Sequence, residues 1–181
     1  MRFSRPEVID ITKAWVAISI AFGIVISHAF PFFYSFIISA LTVGVGFLLH
    51  ELAHKMVAQS YGYGAEFHSF DQMLLLAIFF SFFGFVFAAP GAVFISGKVN
   101  KKKNGLVSLA GPLTNLILAS MFFIIGIIIP SALLSYGFLI NSWLAFFNLL
   151  PFWQLDGKKV FSWNKPVYFL TAIIAFVFVF M

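Results

Sequence analysis

The stretch Gln72–Gly97, QMLLLAIFFSFFGFVFAAPGAVFISG, decides how the rest of the chain threads. Its first part, Met73–Ala89, is apolar enough to cross a bilayer, yet Gly84, Pro90 and Gly91 interrupt the run and its second half is richer in Phe and Val. Hydropathy alone leaves two readings open, a span or a segment that dips in and returns to its starting side. Everything downstream of Gly97 changes sides with that choice.

A spanning helix needs roughly 17–25 mostly apolar residues. Four other runs approach or meet that length: Ala14–Phe30, Phe32–Ala58, Leu106–Ile129 and Leu133–Leu150. A fifth, Val167–Met181, would reach only about 22 Å as a helix. Pro31, Pro130, Pro151 and Gly157 punctuate the runs. The basic residues then separate the two readings. If Gln72–Gly97 returns, all 11 Lys and Arg fall on one side of the membrane. If it spans, Lys98 to Lys103 and Lys158 to Lys165 move together to the opposite face and the division becomes 7 against 4. Basic residues in short loops favour the cytoplasmic side, so the returning segment is preferred. Backbone that turns at membrane depth needs protein or a wet cavity beside it.

Composition agrees. Of 181 residues, 62% are hydrophobic and only 9% charged, which excludes an ordinary soluble domain with about a quarter charged residues. It also argues against disorder and nucleic-acid binding, and the absence of cysteine removes a disulfide scaffold. The expectation is a single all-α polytopic membrane domain over residues 1–181, with about five transmembrane helices plus a re-entrant or strand-like segment. Arg2, Arg5 and Lys13 before Ala14–Phe30 also suit a signal peptide, but no small-residue cleavage site follows, so this run is read as the first helix.

Near the end of the second run stands H-E-L-A-H, His50 to His54. Two histidines four apart share one helix face, one turn apart, and can aim ring nitrogens at one zinc ion. Glu51 sits beside them, able to take a proton from an attacking water. With four histidines and three glutamates in the chain, chance produces this pattern in about one such sequence in a thousand. Three ionisable groups at the end of an apolar span are costly without partners or a metal.

A hydrolytic zinc site takes three protein ligands and leaves a position open. The remaining carboxylates are Glu7, Asp10, Glu66, Asp71 and Asp156. Glu7 and Asp10, among basic residues ahead of the first run, read as solvated. Glu66 and Asp71 reach a metal only if their polar turn folds back. Asp156 follows the break at Pro151, and a returning Gln72–Gly97 puts it at the same membrane face as His50 and His54. Basic-residue sidedness and metal geometry thus ask for one topology.

H-E-L-A-H together with N-L-L-P-F-W-Q-L-D-G, Asn148 to Gly157, resembles the site-2 protease family of intramembrane zinc metalloproteases. The run L-A-G-P-L-T-N, Leu109 to Asn115, resembles that family's glycine- and proline-bearing helix. The resemblance implies Zn2+ bound by His50, His54 and Asp156, Glu51 as catalytic base, and Asn148 lining the site, where its amide would help stabilise the oxyanion. It also implies a membrane-protein substrate cut in or near its transmembrane segment, with lipid bilayer as surroundings; the basic residues put the zinc site toward the cytoplasm. Ala53 stands where the family commonly has glycine, and Gln72–Gly97 is longer than the family's short strand-like segment.

Asn148 and Asn115 serve equally well as hydrogen bonds between helices. His28 and His68 have no partner at metal-ligand spacing and read as interfacial. Lys101 to Lys103 mark the cytoplasmic face and its anionic lipid. Segments around Tyr61–Phe70 and Phe85–Ser96 are expected to hold an extended substrate by edge pairing. The alternative function is a non-proteolytic zinc-binding membrane protein, in metal handling or transport, which would need the ligands but not Glu51 as a base.

Overall fold

The computed structural model describes residues 1–86 and 89–181; Phe87 and Ala88, inside Gln72–Gly97 and the strand-like segment Phe85–Ser96, lie outside the described residues. The chain runs α1 (Arg5–Ile26), α2 (Phe32–Ser39), a π-helical turn (Ala40–Gly44), α3 (Val45–Ser60), β1 (Gly64–Ser69), α4 (Asp71–Ser81), β2 (Gly91–Ser96), α5 (Lys101–Ile128), α6 (Ala132–Asn148), α7 (Asp156–Trp163) and α8 (Lys165–Phe180).

Helix α1 begins at Arg5 rather than at Ala14, where the apolar run starts. The Ser4 hydroxyl accepts the Glu7 N–H at 3.3 Å, and Pro6 supplies a preset φ in the first turn. Glu7 is therefore helical, and it is fully buried instead of solvated. Asp10 is also only partly exposed, with Lys13 at 2.9 Å and the Ser69 N–H at 3.3 Å. Ala14, Ala17 and Ala21 carry the buried side of α1. Lipid tails are as apolar as leucine, so small residues that admit close backbone approach do more for helix contact here than bulk does.

Residues Phe32–Ser60 form one continuous 29-residue helical run through the π-helical turn. The Trp15 indole donates to the Ala40 carbonyl at 3.1 Å, at the start of that turn. A π turn inserts a residue and so changes the direction in which the later helix faces. It ends six residues ahead of His50.

The segment between the strands returns to its origin. Strands β1 and β2 pair antiparallel from Gly64↔Ser96 to Ser69↔Gly91, and Phe70 N–H donates to the Pro90 carbonyl at 3.1 Å. The entry and exit of the excursion are thus hydrogen-bonded neighbours. Helix α4 has 11 residues, about 16 Å of rise, roughly half a bilayer core, and it ends in a turn with Gly84 at φ +86°. In β1 Ala65 and Phe67 are buried and Glu66 and His68 exposed, so one face of the sheet packs on the core cluster of Ile18, Val43, Phe47 and Leu74.

Three helical runs, Arg5–Ile26, Phe32–Ser60 and Lys101–Ile128, are long and apolar enough to cross a membrane. Helices α6 and α8, of 17 and 16 residues, reach about 25 Å, because Pro130 and Ser131 delay the start of α6 and Pro151 follows its end. Helix α5 presents Gly105, Ser108, Gly111, Asn115 and Ala119 as a buried stripe, and α3, α6 and α7 pack on it. Helix α7, absent from the sequence reading, carries Asp156 in its first turn.

Candidate metal centre

His50 and His54 are buried on the face of α3 turned toward α5, their rings 4.6 Å apart and nearly perpendicular. Each ring is held from behind. His54 Nδ1 lies 2.8 Å from the Val107 carbonyl, which can only accept, so Nδ1 carries the proton. His50 Nδ1 donates in the same way to Asn115 Oδ1 at 2.6 Å. The Asn115 amide nitrogen in turn donates to the Gly46 carbonyl at 3.1 Å and to Asn141 Oδ1 at 3.0 Å. Asn141 donates to the Gly137 carbonyl at 2.9 Å. This chain ties α3, α5 and α6 together and leaves both Nε2 lone pairs free on the front side.

Those lone pairs meet Asp156. Its Oδ2 stands 3.3 Å from His50 Nε2 and 3.0 Å from His54 Nε2. Ligands about 2.05 Å from a tetrahedral zinc ion lie roughly 3.3 Å from one another. Two imidazole nitrogens and one carboxylate oxygen at these separations fit the ion's donor preference. Gly111 fits it too: an added Cβ there would stand 2.5 Å from both Nε2 atoms. The backbone of α5 therefore leaves open the space onto which the two nitrogens converge. The nitrogens of His50 and His54 and an oxygen of Glu51 also lie within 4.8 Å of one another. Glu51 is turned differently, however, for its Oε2 accepts the Val93 N–H of β2 at 3.1 Å.

Gly157 brings Asp156 in through space rather than through backbone freedom. A Cβ at Gly157 would collide with the Leu149 carbonyl, so only glycine lets α7 start against the end of α6. Lys159 lies 3.5 Å from Asp156 Oδ1. Asn148 occupies the last turn of α6, its amide nitrogen donating to the Leu144 carbonyl at 2.9 Å. Neither His28 nor His68 joins the cluster; His68 Nδ1 is 3.5 Å from Asp10 Oδ2. Glu66 is exposed on β1, and Asp71 pairs with Lys13 at 2.8 Å.

Sequence reasoning left Gly111, Val107 and Asn141 unassigned. Gly111 lies inside the quoted L-A-G-P-L-T-N run, and its place one turn from Asn115 was the available signal. A backbone carbonyl such as that of Val107 leaves no trace in residue type.

Comparison with known proteins finds zinc metalloproteases. The chain is 42% identical over 181 residues to a Methanocaldococcus jannaschii protein provisionally named a zinc metalloprotease, covering 95% of this chain and 92% of that protein. It is 29% identical over 121 residues to a second protein of that organism, named a zinc metalloprotease, covering 64% of this chain and 31% of the relative. No family model matches the sequence, and no solved structure matches it significantly.

Proposed function

Because the chain belongs to the zinc metalloprotease family of these archaeal relatives, and zinc is accordingly its metal, we propose that it is an intramembrane protease of the site-2 type. It would hydrolyse a peptide bond in or near a transmembrane segment of another membrane protein. The observation that carries this reading is that His50 and His54, on a helical run long and apolar enough to span a bilayer, meet Asp156 of the short helix α7 beside Glu51. The concentration of basic residues supports a cytoplasmic location for the site.

His50, His54 and Asp156 hold the ion, and Asn115 and the Val107 carbonyl orient the imidazoles. A bound zinc ion supplies Lewis acidity to water and to the scissile carbonyl. Glu51 accepts the proton as water oxygen bonds to the carbonyl carbon, then passes it to the amide nitrogen as the C–N bond breaks. Asn148 reaches the oxyanion if its amide turns away from Leu144.

A substrate helix hides its carbonyls and must unwind before it is cut. Strand β2 offers a receptor for the unwound chain. The N–H of Val93 points away from β1 toward Glu51, so the edge beside the metal centre has strand geometry, and an extended segment can add there by backbone pairing. Proline substitutions along β2 that leave cleavage intact would count against this placement.

The test uses the purified protein in phosphatidylglycerol–phosphatidylcholine vesicles with a labelled synthetic single-span peptide weakened by Asn-Pro near one end. Wild type is expected to cut at membrane depth, located by mass spectrometry. Glu51→Gln is expected to keep zinc and lose cleavage. Undiminished turnover by Glu51→Gln would refute the assignment. Zinc binding by wild type with no cleavage of any membrane peptide would favour the metal-handling reading.

A further inference from the structure

Glu7 and Lys55 form an ion pair with neither side chain exposed, in a chain with few charges to spare. Lys55 follows His54 on α3, and the Phe3 ring covers its ammonium at 4.2 Å. Burying two charges costs several kcal/mol per ion before their attraction offsets it, and an apolar pair of similar volume is often as stable. Stability is therefore a weak reason for this pair. Its other contact suggests a better one. Glu7 Oε1 accepts the Phe67 N–H of β1 at 2.9 Å.

Phe67 is the register partner of Val93. In an antiparallel pair, alternate rows turn their N–H groups outward, and this row does so on both edges. One outward N–H goes to Glu7, the other to Glu51. The two-stranded sheet is gripped at one row by two carboxylates from opposite sides, one anchored on Lys55 and one beside the metal ligands. A slip of one residue moves a strand by about 3.3 Å and reverses its faces.

We propose that Glu7 is a positioning residue which, through its bond to Phe67 of β1, fixes the edge of β2 against the metal centre and thereby sets which substrate bond is cut. The part concerning the cut rests on the edge-pairing reading above; the part concerning the sheet does not.

Two double variants separate the bond from the charge. Glu7→Gln with Lys55→Met removes both charges but keeps a carbonyl oxygen for Phe67. Glu7→Leu with Lys55→Met removes that oxygen as well. Zinc content, hydrogen exchange of the Gly91–Ser96 backbone, and the bonds cut in the Asn-Pro peptide are measured in vesicles. The leucine variant is expected to hold wild-type zinc, exchange at β2 about tenfold faster, as loss of a buried backbone acceptor implies, and cut at several adjacent bonds. The glutamine variant is expected to match wild type in all three. Wild-type exchange and a single unshifted cut in the leucine variant would overturn the proposal. So would identical behaviour of the two variants, or loss of zinc from the leucine variant, which would make the pair part of the metal centre's own framework. Val93→Pro, which removes the outward N–H together with its bond to Glu51, judges edge pairing separately. Normal cutting of the same bond by this variant would sink that reading, while the exchange result still decides whether Glu7 holds the sheet.

Discussion

Gly111→Ala adds one methyl group and should remove the metal. Its Cβ would lie 2.5 Å from Nε2 of both His50 and His54 and 2.6 Å from Cε1 of His54. Non-bonded atoms of this kind need about 3.5 Å, so the methyl is about 1 Å too close to each ring. The rings have little room to yield, because Asn115 and the Val107 carbonyl hold their far sides at 2.6 and 2.8 Å. A functional constellation tolerates displacements of about 0.5 Å, and the methyl occupies space that an ion about 2.1 Å from both nitrogens requires. Zinc affinity should fall by more than about 100-fold, beyond the 10–100-fold typical of losing a supporting hydrogen bond. Helix content should not fall, since alanine is the better helix former by about 1 kcal/mol. Gly126→Ala on the same helix is the control, its Cβ meeting Leu134 Cβ at an ordinary 3.6 Å. The assay is zinc per chain by plasma mass spectrometry after dialysis against buffered zinc, with circular dichroism alongside. Stoichiometric zinc at wild-type affinity in Gly111→Ala would refute the geometry.

Asn115→Ala removes the acceptor of the His50 proton and the donor to Asn141, so zinc affinity should drop 10–100-fold with ligand identity unchanged; competition with a chromophoric chelator measures it. Gly157→Ala should push α7 off the Leu149 carbonyl and carry Asp156 with it, lowering zinc content while leaving the helices folded. Treatment with 1,10-phenanthroline should abolish cleavage of the vesicle-embedded peptide, and stoichiometric zinc should restore it; activity that survives complete zinc removal would contradict a metal-dependent reaction.

The histidine pair was legible because helical periodicity converts a spacing of four into one face without help from tertiary structure. The return of Gln72–Gly97 was legible from the distribution of basic residues along the chain, and the structure pairs the two strands that flank the excursion, with the Phe70 N–H bonded to the Pro90 carbonyl. The length of α1 was overlooked although Ser4, Pro6 and Glu7 form a helix-start pattern; hydropathy registers only the apolar part of a helix. Glu7 read as a surface charge because residue type does not reveal its distant partner, Lys55, on another helix. Gly111 and Gly157 illustrate the same limit. Each is needed for what approaches it from elsewhere in the chain, and that approach exists only after the helices have packed. About five transmembrane helices were expected, the last of them short; three helical runs are long and apolar enough to span, while α6 and α8 are shorter, α6 being bounded by Pro130 and Pro151.

Zinc K-edge X-ray absorption of the purified protein tests the central claim most directly. The account predicts two imidazole nitrogens at about 2.0–2.1 Å with oxygen completing a four-coordinate shell and no sulfur, and it predicts that Asp156→Ala loses zinc or changes that shell. A full complement of zinc in Asp156→Ala, with a spectrum identical to wild type, would contradict it.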